Sequence, residues 1–179
     1  QGMLNGDATY QNFYRCGDTA VDGNWGQVAP GKYCYYSFGP QSGLPDLNYD
    51  EPAVRDEVKK VADFWLAAGV DGFRLDVAQD IGDGNDDYTV AWWQEFDTHV
   101  RLMKADAFVV GEVNYDSLDG NSKIAPFLKG MNSAFDFPGR YRVVKVLATQ
   151  EDVSASDAKG QAASVLKQVF STHASYPDH

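Results

Sequence analysis

Apolar residues fall at helical spacing in the second quarter of the chain, where Val54, Val58, Val61, Trp65 and Leu66 share one face. Asp50 is suited to the N-cap, Pro52 to the first turn and Gly69 to the position just past the end. A helix is therefore predicted between them, with that stripe turned inward. The period then breaks, and Val70-Asp71-Gly72-Phe73-Arg74-Leu75-Asp76-Val77 reads as a short strand. An acidic loop from Asp80 to Asp87 leads into a second amphipathic helix, about Tyr88 to Lys104. Its inward positions are Val90, Trp93, Phe96, Val100 and Met103, which leaves Trp92 half exposed or against a neighbouring element. Ala107 to Val113 is the next strand, Met131 to Phe137 a third, and a last helix covers about Ala158 to Thr172. Helices alternating with strands at this spacing indicate an α/β chain with parallel strands.

Residues 1–47 have another texture, with eight glycines, many aromatics and little helical period. They read as loop or short strands. Trp25, Tyr33, Tyr35, Tyr36 and Phe38 are expected to form a small core there rather than sugar-stacking platforms.

Composition narrows the partners. At 179 residues, 44% hydrophobic and 23% charged, the chain can bury a core, and its formal net charge of −11 argues against nucleic acid and anionic membrane. Neutral ligands such as sugars stay open. No run of eighteen apolar residues occurs, so no membrane span is expected. The opening Gln1-Gly2-Met3 resembles neither a signal peptide nor a translation start, which suggests a numbering that begins inside a longer protein. Cys16 and Cys34 are either two free thiols or a disulfide. A bridge would contribute about 3 kcal/mol and point to an oxidising, secreted or periplasmic setting.

The candidate chemistry lies at two strand ends. Asp76 and Glu112 are 36 residues apart, the length of one strand-helix-strand crossover, so their strands should be neighbours spaced about 4.8 Å. Alternation puts Arg74 and Asp76 on one face, with Phe73 and Leu75 on the other. Arg74 beside Asp76 favours its anion, whereas Glu112 has no cation next to it in sequence. Two carboxylates of unlike proton affinity are what glycoside hydrolysis requires. The run Asp80, Asp83, Asn85, Asp86, Asp87 fails the EF-hand pattern and reads as a solvated loop ending in an N-cap. Asp136 either lines the cleft or caps a helix.

Gly72-Phe73-Arg74-Leu75-Asp76-Val77-Ala78 resembles the fourth-strand motif of the α-amylase family of glycoside hydrolases, and Val110-Gly111-Glu112-Val113 the fifth-strand motif. Leu44-Pro45-Asp46-Leu47-Asn48-Tyr49 resembles the segment near the end of that family's inserted B domain, and Met131 to Pro138 its sixth-strand region. The resemblance implies part of a (β/α)₈ TIM barrel, about strands 4–6 from residue 48 onward, preceded over 1–47 by the tail of a loop-rich B-domain insertion. It implies a retaining mechanism on α-glucosidic bonds of α-glucans or maltooligosaccharides. Asp76 would then be the nucleophile, Glu112 the general acid/base and Arg74 the residue that orients Asp76. Phe73, Gln79, Asp80 and Asn114 would contact substrate, and Asp46 would either bind calcium or serve as a turn residue. Gln79-Asp80 stand where many members have Lys-His, and the motif carrying the third catalytic carboxylate has no counterpart; the terminal Asp178-His179 has the reverse order. The remainder of the same barrel is thus an expected partner, and the isolated chain is expected to be inactive. An inactive amylase-like scaffold, or transglycosylase or isomerase chemistry on the same intermediate, are the alternatives.

Overall fold

The computed structural model describes residues 6–82, 85–115, 123–144, 146–147, 158–174 and 176–177. Asp83 of the acidic run and the terminal Asp178-His179 lie outside these residues. The chain divides into two compact units, one of residues 1–68 with 80–83, the other of 69–79 with 84–179.

In the first unit, β1 (Cys16–Gly17), β2 (Trp25–Ala29) and β3 (Lys32–Tyr35) form an antiparallel sheet in the order β1-β3-β2. Pro30 and Gly31 turn β2 into β3, and Gly31 has φ +68°, where glycine is free of the Cβ clash. Cys16 stands directly opposite Cys34 across the β1–β3 pair, and the two are joined in a disulfide. Trp25 and Tyr35 pair across the strands with ring centroids 6.1 Å apart, while Tyr36 and Cys34 are buried. Of the aromatics expected to form a core here only Tyr36 is buried; Trp25, Tyr33 and Tyr35 are half-buried and Phe38 is exposed, so the core is smaller than expected and rests on a covalent staple.

α1 (Pro52–Ala67) follows in the same unit. Its cap is Glu51, whose carboxylate accepts the Ala53 N–H; Asp50 sits 4.0 Å from the Arg15 guanidinium instead. The inward stripe is also narrower than its spacing suggests. Val54 and Ala62 are buried and Val58 and Leu66 half-buried, a single i, i+4 row. Val61 and Trp65 belong to the next row round and are exposed, together with Phe64. Gly69, at φ +98°, ends the helix as expected.

The second unit holds a parallel sheet of β4 (Gly72–Leu75), β5 (Phe108–Gly111) and β6 (Ser133–Ala134), in that order. Each strand is shorter than its apolar run. α2 (Asp86–Met103) crosses from β4 to β5, capped by Asn85, whose Oδ1 accepts the Tyr88 N–H at 3.2 Å. Asp86 and Asp87 in its first turn complement the helix dipole. Val90, Trp92, Trp93, Phe96 and Val100 are buried, but Met103, in the last turn, is exposed. Beyond its end, Lys104 lies 3.5 Å from Asp71 and 2.6 Å from Asp106, bracketing the starts of β4 and β5. Its hydrogen bond holds the Asp106 carboxyl below the usual carboxylate range. After β6 come α3 (Phe137–Val144) and α4 (Ala158–His173).

Gly72 pairs with Phe108 at the start of the β4–β5 ladder. A Cβ at Gly72 would strike the Phe108 backbone carbonyl. Gly72→Ala is therefore expected to destabilise the second unit by about 1–3 kcal/mol in chemical denaturation. Reducing Cys16–Cys34 should cost the first unit about 3 kcal/mol, seen as a lower unfolding midpoint with reductant than without.

Candidate active site

The parallel register brings the two acids together. Leu75 pairs with Gly111, so the next residues on each chain, Asp76 and Glu112, leave the sheet side by side at its C-terminal edge. Backbone bonds carry the pairing past the last strand residues: Glu112 N–H donates to Leu75 O, and Ala78 N–H to Glu112 O, both at 2.8 Å. Between them Val77 has φ +43°, a left-handed backbone that is rare for a β-branched residue. That bend ends β4 at Leu75, although Asp76 and Val77 read as a continuing strand. Ala78, fully buried, sits at the centre of the turn, and its carbonyl accepts the Trp93 indole N–H at 2.7 Å.

Arg74 joins the acids. One of its terminal nitrogens pairs with Asp76 Oδ1 and the other with Glu112 Oε2. The view of Glu112 as the acid without a cation is thereby overturned. Its sequence neighbours carry no positive charge, but the strand beside it does. The acids differ instead in depth, with the Asp76 side chain 67% exposed and that of Glu112 21%.

An open cleft of roughly 520 Å³ begins at Glu112 and is walled by Arg74, Glu112, Phe135, Asp136, Phe137 and Arg140; Asp76 does not line it. The Phe135 ring lies 5.7 Å from the Arg74 guanidinium carbon, within cation–π range. Asp136 both lines the cleft and caps α3, with Oδ1 accepting the Gly139 N–H at 2.9 Å. Its other oxygen lies 3.1 Å from His173 Nε2 on α4. Phe135, Phe137 and Arg140 were missed in the sequence, because a two-residue strand and an eight-residue helix leave no period to show which side chains face the cleft.

The other candidates separate. Gln79 and Asn114 meet each other, the Gln79 side-chain oxygen accepting the Asn114 backbone N–H at 3.0 Å. Phe73 turns to the opposite face from Arg74 and packs edge-on against Phe96 of α2, with centroids 5.9 Å apart, so it is a half-buried packing residue and does not line the cleft. Asp80 lies in the 3-10 turn Ala78–Gly82 and groups with the first unit. Asp46, also in the first unit, uses Oδ1 to accept both the backbone N–H and the hydroxyl of Ser37 at 3.1 Å. Among the described residues no three His, Cys, Asp or Glu side chains cluster as metal ligands. The described donors at Asp46 do not by themselves make a calcium site, and no step below runs through a metal.

Comparison with known proteins bears on the same region. Residues 14–176 match the family described as alpha amylase, catalytic domain. Over 124 residues the chain is 44% identical to alpha-amylase 3 of Dictyoglomus thermophilum, covering 69% of the chain and 23% of that protein. It is 36% identical over 106 residues to a 4-alpha-glucanotransferase of Thermotoga neapolitana, covering 54% of the chain and 23% of the relative. Among solved structures, Eubacterium rectale Amy13B superposes with a TM-score of 0.72 at 29% identity, over 96% of this chain and 33% of that one. The α-amylase from H. orenii gives 0.65 at 31% identity, over 90% of this chain and 33% of its own. The chain thus spans 23% of the length of these two curated relatives and 33% of these two solved chains, and its fold is part of a (β/α)₈ barrel.

Because Trp93 satisfies the buried Ala78 carbonyl, Trp93→Phe should leave an orphaned acceptor under the acidic pair. The expected loss is about 1–3 kcal/mol, measured by chemical denaturation.

Proposed function

Because the chain belongs to the alpha-amylase catalytic-domain family, we propose that it supplies the central part of a retaining glycoside hydrolase acting on α-glucosidic bonds of starch-like glucans or maltooligosaccharides. The observation that carries this reading is the single guanidinium of Arg74 held between Asp76 and Glu112 at adjoining strand ends. Retaining enzymes need their carboxyl groups ~5–5.5 Å apart, and neighbouring strands in register are spaced ~4.8 Å.

In this mechanism Asp76 attacks the anomeric carbon while Glu112 delivers a proton to the departing glycosidic oxygen. The bond from sugar to leaving group breaks as the bond from sugar to Asp76 forms. Glu112 then takes a proton from water, which attacks the same carbon and releases Asp76. Arg74 offsets the charge on Asp76 and fixes its direction. The cleft walled by Phe135 and Phe137 opens at Glu112 and offers apolar surface to the sugar beside the cleaved bond.

The relationship to a 4-alpha-glucanotransferase favours a second reading, in which a sugar hydroxyl replaces water in the second half of the reaction. Product analysis separates the two: hydrolysis shortens maltoheptaose, whereas transfer also yields longer chains. The Cys16–Cys34 bridge supports a secreted or periplasmic location. Calcium at Asp46 rests on the resemblance alone, and unchanged stability in a chelator would end it.

In the intact protein, Glu112→Gln is expected to slow maltooligosaccharide hydrolysis by about 10²–10⁴-fold, and Asp76→Asn to abolish formation of the covalent intermediate. Proton NMR of the first product should show retained anomeric configuration. Inverted product, or full activity in either variant, would overturn the assignment. The 179-residue chain alone should not turn over maltooligosaccharides, since the motif that would carry the third catalytic carboxylate has no counterpart in it.

A further inference from the structure

Three consecutive hydrogen bonds lace the turn after β4 to the segment after β5. Two are backbone bonds, from Glu112 to Leu75 and from Ala78 to Glu112. The third runs from the Asn114 N–H to the side-chain oxygen of Gln79. The left-handed backbone at Val77 is what swings Ala78 and Gln79 back over the end of β5. Such a conformation persists only where its surroundings hold it, and here the Ala78 carbonyl is held by Trp93 while its N–H is held by Glu112. Gln79 thus extends the ladder by one rung, using a side chain where the sheet has run out of backbone. Glu112 itself makes the first and second rungs, and Asn114, two residues on, makes the third.

We propose that Gln79 is a positioning residue for Glu112 and not a sugar contact. Its amide oxygen fixes the Asn114 backbone, and with it the direction in which the Glu112 carboxyl leaves β5. The inference rests on the reading of Glu112 as acid/base, since only a proton-transfer group gains from that precision. The Asn114 N–H engages the Gln79 amide oxygen and so fixes the side chain's direction, which leaves a sugar at residue 79 only the amide NH2 and the oxygen's second lone pair.

Two variants test it. Gln79→Met keeps the length and removes the acceptor, while Gln79→Glu keeps an acceptor oxygen. In the intact protein, Gln79→Met should lower kcat roughly 10–100-fold on maltotriose and maltoheptaose alike, with KM within about twofold of the parent. In the 179-residue chain, followed by NMR, the Asn114 amide should exchange with solvent about fivefold faster in Gln79→Met and return toward the parent rate in Gln79→Glu. A rise in KM that depends on substrate length with kcat unchanged would identify a sugar contact and overturn the proposal. So would an Asn114 exchange rate indifferent to Gln79→Met. Full activity of Glu112→Gln would instead overturn the acid/base reading beneath it, and the exchange rates would then decide the Gln79–Asn114 contact alone.

Discussion

Two carboxylates set side by side at the end of a sheet repel each other, and the pairing of β4 with β5 forces them there. Arg74 resolves that conflict. A guanidinium presents five donors in a rigid plane, so its two terminal nitrogens can serve Asp76 and Glu112 together, which a lysine ammonium on its flexible stem does with far less directional control. The remaining features of the second unit serve this arrangement. Gly72 lets the strands approach at their starts, Lys104 pins the segments leading into them, and Trp93 fixes the turn that follows.

Much of this was legible in the residues because two periods differ so plainly. The stripes of α1 and α2 and the alternation through Phe73-Arg74-Leu75-Asp76 located both helices, both strands and the face on which the acids stand. What failed to show had physical causes of one kind. Val77 is β-branched and reads as strand, yet its backbone is set by the next residue, whose N–H donates to Glu112 and whose carbonyl accepts from Trp93, both far away in sequence. Glu112 looked uncompensated because its cation comes from another strand. Val61 and Trp65 looked inward because spacing reveals that a face exists, not how wide a stripe is covered. The cysteine pair was undecidable until the strands put Cys16 across from Cys34.

The cleft wall shows how one residue can answer to two demands. Asp136 closes the start of α3 while standing in the cleft, and Phe135 just before it leans over Arg74. A change made for substrate fit at this wall would therefore be felt in the helix behind it. A substitution in the sixth-strand region is thus felt both in the cleft and in the helix cap.

β4 is paired on one side by β5, and its opposite edge has no strand partner among the described residues. A bare edge is a template for other chains, and native proteins commonly blunt such edges with charge. Asp71, Arg74 and Asp76 place charged groups along and beside this short strand. Charge at that density makes so short an edge a poor template for another chain.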